Sequence, residues 1–200
     1  MAEIKSTLEK VMERVAAMGP LSETEVNTDE IIKDGMRLAA EYLKGEGVEL
    51  ANALKSHPEK NQKFMRSGII KVLLRNIVLP RDDDQQAAEL AMQGMLDLGR
   101  GSRDLISVLG ETKEIMARFR QHRKQLREQL ESAMRQQLKQ ALVQQGIGSN
   151  MPINIDPTLH PKFQEEWLRI KDELNGQYGR ALEQHKAMAA QLLGERADGD

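Results

Sequence analysis

The chain contains no cysteine. Disulfides, thiol catalysis, thiolate zinc sites and iron–sulfur clusters held by Cys are excluded with it. Aromatic residues are scarce, at 3%, so the core has to be built from aliphatic side chains and Met. No apolar run reaches the roughly 18 residues that a membrane-crossing helix needs. The opening Met1-Ala2-Glu3-Ile4-Lys5 carries no apolar run of signal-peptide type, and a cytoplasmic protein is the expectation. A net charge of -2 with 30% charged residues rules out a strongly basic chain.

What is present is helix-forming. Leu, Ala, Glu, Gln, Lys, Arg and Met dominate, and all favour helix. Gly110 and Gly146 bracket 35 residues with no Gly and no Pro. Within them Ile115, Phe119, Leu126, Leu130, Met134, Leu138 and Leu142 recur in steps of three and four, with His122 on the same stripe. That spacing predicts one long helix. At 1.5 Å per residue it spans about 50 Å, longer than most small domains are wide, so it needs a partner along its length.

Elsewhere the punctuation marks shorter helices. Residues 3–18 form an amphipathic segment, with Ile4, Leu8, Val11, Met12 and Val15 on one face and Gly19-Pro20 as its stop. A polar linker leads to Thr28 or Asp29, which caps a helix to about Lys44. Gly45 and Gly47 break it. A short helix follows to Lys55. Pro58 then starts another, whose second half, residues 69–79, is the most apolar stretch of the chain. A buried helix is expected there rather than a strand, because no second strand is available to pair with it. Asp82, Asp83 and Asp84 suit a helix start. Gly99-Arg100-Gly101 interrupts, and Ser102 caps again. In residues 147–160, Ile153 and Ile155 allow a very short extended piece. From Pro161 a last helix carries Phe163, Trp167, Ile170, Leu174, Tyr178, Ala181, His185, Met188 and Leu192. Gly176 and Gly179 inside it predict a bend or a close helix contact near Tyr178.

The fold expected is therefore all-α. A helical N-terminal domain covers residues 1–110, with 1–18 a separable helix. A long, coiled-coil-like antiparallel helical hairpin covers 111–193, with its loop at 147–160 and a disordered tail at 194–200.

Three sets of passages carry a family resemblance. They are Ala2-Glu3-Ile4-Lys5-Ser6-Thr7-Leu8, Asn76-Ile77-Val78-Leu79-Pro80-Arg81-Asp82, and Ile155-Asp156-Pro157 with Pro161-Lys162-Phe163 and Gln177-Tyr178-Gly179. The chain resembles an uncharacterised family of bacterial all-helical proteins with no assigned activity. The resemblance implies a shared helical fold and brings no catalytic or binding residue with it.

No catalytic, cofactor or metal site emerges from spacing. His57 and His160 sit before prolines in turns. His122 and His185 lie on apolar stripes, where a hydrogen-bonded seam histidine is the simpler account. A pairing of 122 with 185 across the hairpin is one further expectation. Three adjacent aspartates on a helix do not converge on one metal. Gly94 and Gly99 have phosphate-loop spacing but are followed by Arg100 and Gly101, so that motif is rejected.

Charge is uneven. Residues 1–60 carry eight basic against twelve acidic groups, and residues 111–146 carry eight basic against four acidic. Arg118, Arg120, Arg123, Lys124, Arg127, Arg135 and Lys139 form the main basic feature. It reads either as a solvated or acid-paired helix face, or as a contact surface for an anion or a nucleic acid. The functional expectation is a non-enzymatic helical interaction or scaffold protein without cofactor, binding an unidentified protein partner and forming a homodimer. The alternatives are nucleic-acid association through the basic helix 113–139 and peripheral membrane association through helix 3–18.

Overall fold

The computed structural model of the chain describes residues 23–80, 86–144 and 156–195. Among them are six α-helices, one 3₁₀ turn and no strand. The helices are α1 (Glu23–Leu43), α2 (Leu50–Lys55), α3 (Glu59–Asn76), α4 (Gln86–Leu98), α5 (Arg103–Gln144) and α6 (Pro161–Glu195), with the 3₁₀ turn at Pro157–Leu159. The all-α expectation holds. The segment 3–18, the three aspartates at 82–84, the pair Ile153 and Ile155, and the tail beyond 195 lie outside the described residues.

Contacts divide the chain into two compact units, Met1–Val72 and Leu73–Asp200. Residue 110, the boundary expected from sequence, lies inside a helix. α5 starts at Arg103 and runs through Gly110 unbroken, and a Cβ at Gly110 would meet nothing within 4 Å. An exposed glycine in a helix costs about 1 kcal/mol against Ala, too little to end a helix that is buried on its other side.

In the first unit α1 crosses α3 at close range. A Cβ on Gly35 would lie 2.1 Å from the Met65 carbonyl oxygen, and one on Gly68 would lie 2.1 Å from that of Ile32. Only glycine lets two helix backbones touch in this way. Ala39, Met65 and Ile69 are buried in this unit, as are Leu50 and Leu54 of α2. α1 begins at Glu23, five residues before the cap expected at Thr28. No Gly or Pro in residues 23–34 would stop it. At its far end Gly45 takes φ 78° and donates its N–H to the Tyr42 carbonyl at 3.0 Å. α3 stays helical through the apolar stretch as far as Asn76. Residues 77–80 then leave the helix, because a proline at 80 disfavours helical geometry in the residue before it.

In the second unit α4 buries Ala88, Ala91, Met92, Met95 and Leu98. Arg100 (φ 47°) and Gly101 (φ 74°) turn the chain. The buried Ser102 hydroxyl accepts the Leu105 N–H at 3.5 Å, as the sequence suggests for a cap. α5 then runs 42 residues, about 63 Å. It buries Leu105, Leu109, Met116, Phe119 and Met134. Thr112, buried among them, donates its hydroxyl to the Val108 carbonyl at 2.8 Å, so no polar atom of that side chain is stranded.

α5 packs chiefly against α6. Glu111 meets His185 at 3.0 Å, His122 meets the Tyr178 hydroxyl at 2.7 Å, and Phe119 stands edge-on to the Tyr178 ring. Further on, the Arg127 guanidinium lies 5.9 Å from the Trp167 ring centre, and Met134 clusters with Phe163 and Trp167. Positions on α5 rise as their partners on α6 fall, so the two helices run in opposite directions. His122 and His185 do not pair with each other, because in this register His122 faces Tyr178 and His185 faces Glu111.

The buried face of α6 departs from the expected stripe toward its end. Leu182, Ala189 and Leu193 are buried and Met188 is exposed. Leu193 lies against Gly99, beside α4, so this end of α6 turns its apolar side toward two neighbours rather than one. Gly176 and Gly179 have open space around their Cβ positions and make no close contact there. The helix also continues past Gly194 to Glu195.

Candidate functional site

An open groove of about 960 Å³ lies within the second unit. Each wall follows from local structure. After α3 ends, Val78, Leu79 and Pro80 run along one edge, and Ala87 and Ala88 of α4 close one corner. From α5 come Met116, Phe119, Arg123 and Arg127, spaced by three and four and so on one helix face. From α6 come Trp167, Lys171, Leu174, Asn175, Gly179, Leu182 and Glu183, again at helical spacing. The walls are mainly apolar, with a few polar groups placed among them, as is usual for ligand sites of about 300–1,000 Å³.

The charges are not equivalent. Arg127 gives its Nε–H to Glu131 at 2.9 Å and lays its guanidinium near the Trp167 ring. Glu183 accepts from the Lys186 ammonium at 2.8 Å. Both are therefore neutralised locally. Arg123 is half-buried and donates to the Pro80 carbonyl at 3.0 Å, a neutral acceptor that does not offset its charge. Lys171 is half-buried and has no polar partner among the described residues. Two cations thus face the groove without a counter-charge from the described residues.

They also sit at one end. Because α5 and α6 are antiparallel, Arg123, Arg127, Trp167 and Lys171 share one end of the groove, and Met116, Leu182 and Glu183 share the other. The groove grades from a cationic, aromatic end to a largely apolar one.

The seven basic residues singled out from sequence do not share one face of α5. Arg118 is exposed and bound to Glu114 at 3.0 Å. Lys124, Arg135 and Lys139 are exposed, and Arg120 is half-buried. At 100° per residue the seven spread over about 220° of the helix circumference. Only Arg123 and Arg127 reach the groove. Lys171 was not singled out by sequence reasoning. Its only signal is a basic residue four positions after Trp167 on the flank of the apolar stripe. Trp167 reads as core from spacing alone and is both core and groove wall.

Beside this end, Asp156 caps the 3₁₀ turn. Its carboxylate accepts from the Thr158 hydroxyl at 2.7 Å and the Thr158 N–H at 2.9 Å. These two bonds, hydroxyl first, hold its pKa below the usual 3.8, with smaller help from Arg135 and Arg127. Among the described residues no group of three His, Cys, Asp or Glu gathers at metal-holding distance, and no helix is long and apolar enough to cross a membrane.

No curated protein and no solved structure matches the chain. A family model does match, over residues 51–191, a span that takes in α3 to α5, almost all of α6, and every residue lining the groove. The chain belongs to that family, a family of unknown function designated DUF6657.

Proposed function

We propose that the chain is a non-enzymatic helical binding protein, an interaction or scaffold module whose working surface is this groove. The observation that carries the reading is the pair of half-buried cations, Arg123 and Lys171, set in mainly apolar walls and without a counter-charge among the described residues. Holding a charge part-way out of water without a partner costs free energy. An anionic occupant recovers that cost. Among the described residues nothing in the groove combines a nucleophile with a base in hydrogen-bond reach, which is why binding is favoured over catalysis.

The test is site-specific photo-crosslinking in cells producing the full chain, read by intact-mass spectrometry. A crosslinker at Asn175, which is exposed and lines the groove, is expected to capture an occupant. One at Glu173, exposed on another side of α6, is expected not to. Equal labelling at both positions, or none at either, would overturn the reading.

Self-association belongs to the same proposal. At the end of α5, Leu138 and Leu142 are half-buried and Val143 is exposed, and Leu159 is exposed just before α6. A second copy would cover such surface. A monomer in sedimentation at tens of micromolar would count against it.

A further inference from the structure

We infer that the occupant of the groove is a single-chain amphiphile: an acyl tail of about a dozen carbons ending in a carboxylate or phosphate. The inference rests on the groove being a binding site and names what it takes. The polarity of the groove is the argument. A partner helix presenting acids along its length would call for cations along the length of the groove. Here the cations are confined to one end. Arg123 and Lys171 stand beside Trp167 with no counter-charge among the described residues, and the wall then continues as Phe119, Leu174, Met116 and Leu182 toward the opposite end. A head that is anionic and a tail that is not match this gradient in one orientation only. Arg123 is held in place by its bond to the Pro80 carbonyl at 3.0 Å, so its remaining N–H groups are positioned before a ligand arrives. Lys171 needs no partner exchange to engage, since it has none among the described residues. At the far end Glu183 is tied to Lys186, and the described residues that line the tail region include no cation to draw the head there.

The chain reports on its own groove, because Trp167 is its single tryptophan and lines the cationic end. The experiment titrates the full chain with laurate and with monododecyl phosphate, both below their micelle concentrations, and follows Trp167 emission. Methyl laurate, dodecyltrimethylammonium and an acidic amphipathic helical peptide are titrated in parallel. Saturable, one-to-one binding of laurate or the phosphate is expected, with the preferred one identifying the head. The uncharged ester is expected to bind at least about tenfold more weakly, and the cationic amphiphile more weakly still. Lys171→Met, which breaks no hydrogen bond or ion pair among the described residues, is expected to weaken the anion about tenfold while leaving the ester unchanged. Equal responses to anion and ester, or an unchanged anion affinity in Lys171→Met, would overturn the inference. A saturable response to the peptide alone would overturn it while leaving the groove as a binding site. No response to any probe, together with no crosslinking at Asn175, would remove both readings.

Discussion

Replacing Gly35 by Ala sets two opposed effects against each other, and the structure says which wins. Alanine favours helix over glycine by about 1 kcal/mol, so in an open helix the change would stabilise. At this position the new methyl would stand 2.1 Å from the Met65 carbonyl oxygen. Ordinary contact needs more than 3 Å, so α1 and α3 would have to separate by roughly 1 Å at their crossing. The obstacle is backbone on a second helix and cannot rotate aside as a side chain would. Overpacking of this kind costs about 1–3 kcal/mol, occasionally more. Taking the upper end and subtracting the propensity gain leaves a net loss of roughly 2 kcal/mol. For a chain of this length that lowers Tm by about 4–8 °C. Far-UV circular dichroism during thermal and urea denaturation measures it. Gly68→Ala should behave alike, since its methyl would stand 2.1 Å from the Ile32 carbonyl. The double variant should cost less than the two together, because one separation of the helices relieves both clashes. A Gly35→Ala protein as stable as the parent, or more so, would refute the close crossing.

Gly110→Ala and Gly176→Ala supply the contrast: nothing lies within 4 Å of either Cβ position, so each is expected to raise stability by about 0.5–1 kcal/mol in the same denaturation assay. Phe163→Ala, at a side chain 1% exposed and clustered with Met134 and Trp167, should cost about 3–5 kcal/mol in urea and shift Trp167 emission to the red as water enters. The Asp156 cap should add stability that is fully present above pH 3.8 and is lost as pH falls through its lowered folded-state value. Asp156→Ala should abolish that part of the acid limb, and an acid limb identical to the parent's would count against the cap. Gel shifts on random DNA and RNA at low salt should show no retardation. Retardation removed by Arg120→Ala with Arg123→Ala and Arg127→Ala would revive the nucleic-acid reading.

Periodicity made much of the fold legible. The stops at Gly45 and at Gly99-Arg100-Gly101, the Ser102 cap and the helical state of the apolar segment before Asn76 all follow from residue chemistry. What failed did so where a tertiary neighbour decides. Gly110 looks like a break because sequence shows the missing side chain but not the buried opposite face that keeps the helix going. Gly176 and Gly179 look like contact points, yet the close approach is made by Gly35 and Gly68, which sequence alone does not distinguish from them. The shift from Met188 to Ala189 and Leu193 follows from α4 lying beside the end of α6. The groove was hidden for the same reason. It brings together the segment after α3, one corner of α4 and the facing sides of α5 and α6. Arg123 and Arg127 drew notice as members of a basic run, and nothing in that run points to Lys171 as their companion.

The two histidine contacts have a consequence for how α5 and α6 find their alignment. A seam of Leu, Met and Phe repeats itself nearly every turn, so a slip of one turn, about 5.4 Å, would exchange one greasy neighbour for another at little loss. The Glu111–His185 and His122–Tyr178 contacts do not repeat. They stand on either side of Phe119, and a slip in either direction would forfeit both together. Polar side chains on an oily zipper thereby act as its teeth markings, selecting one setting among several of similar grip.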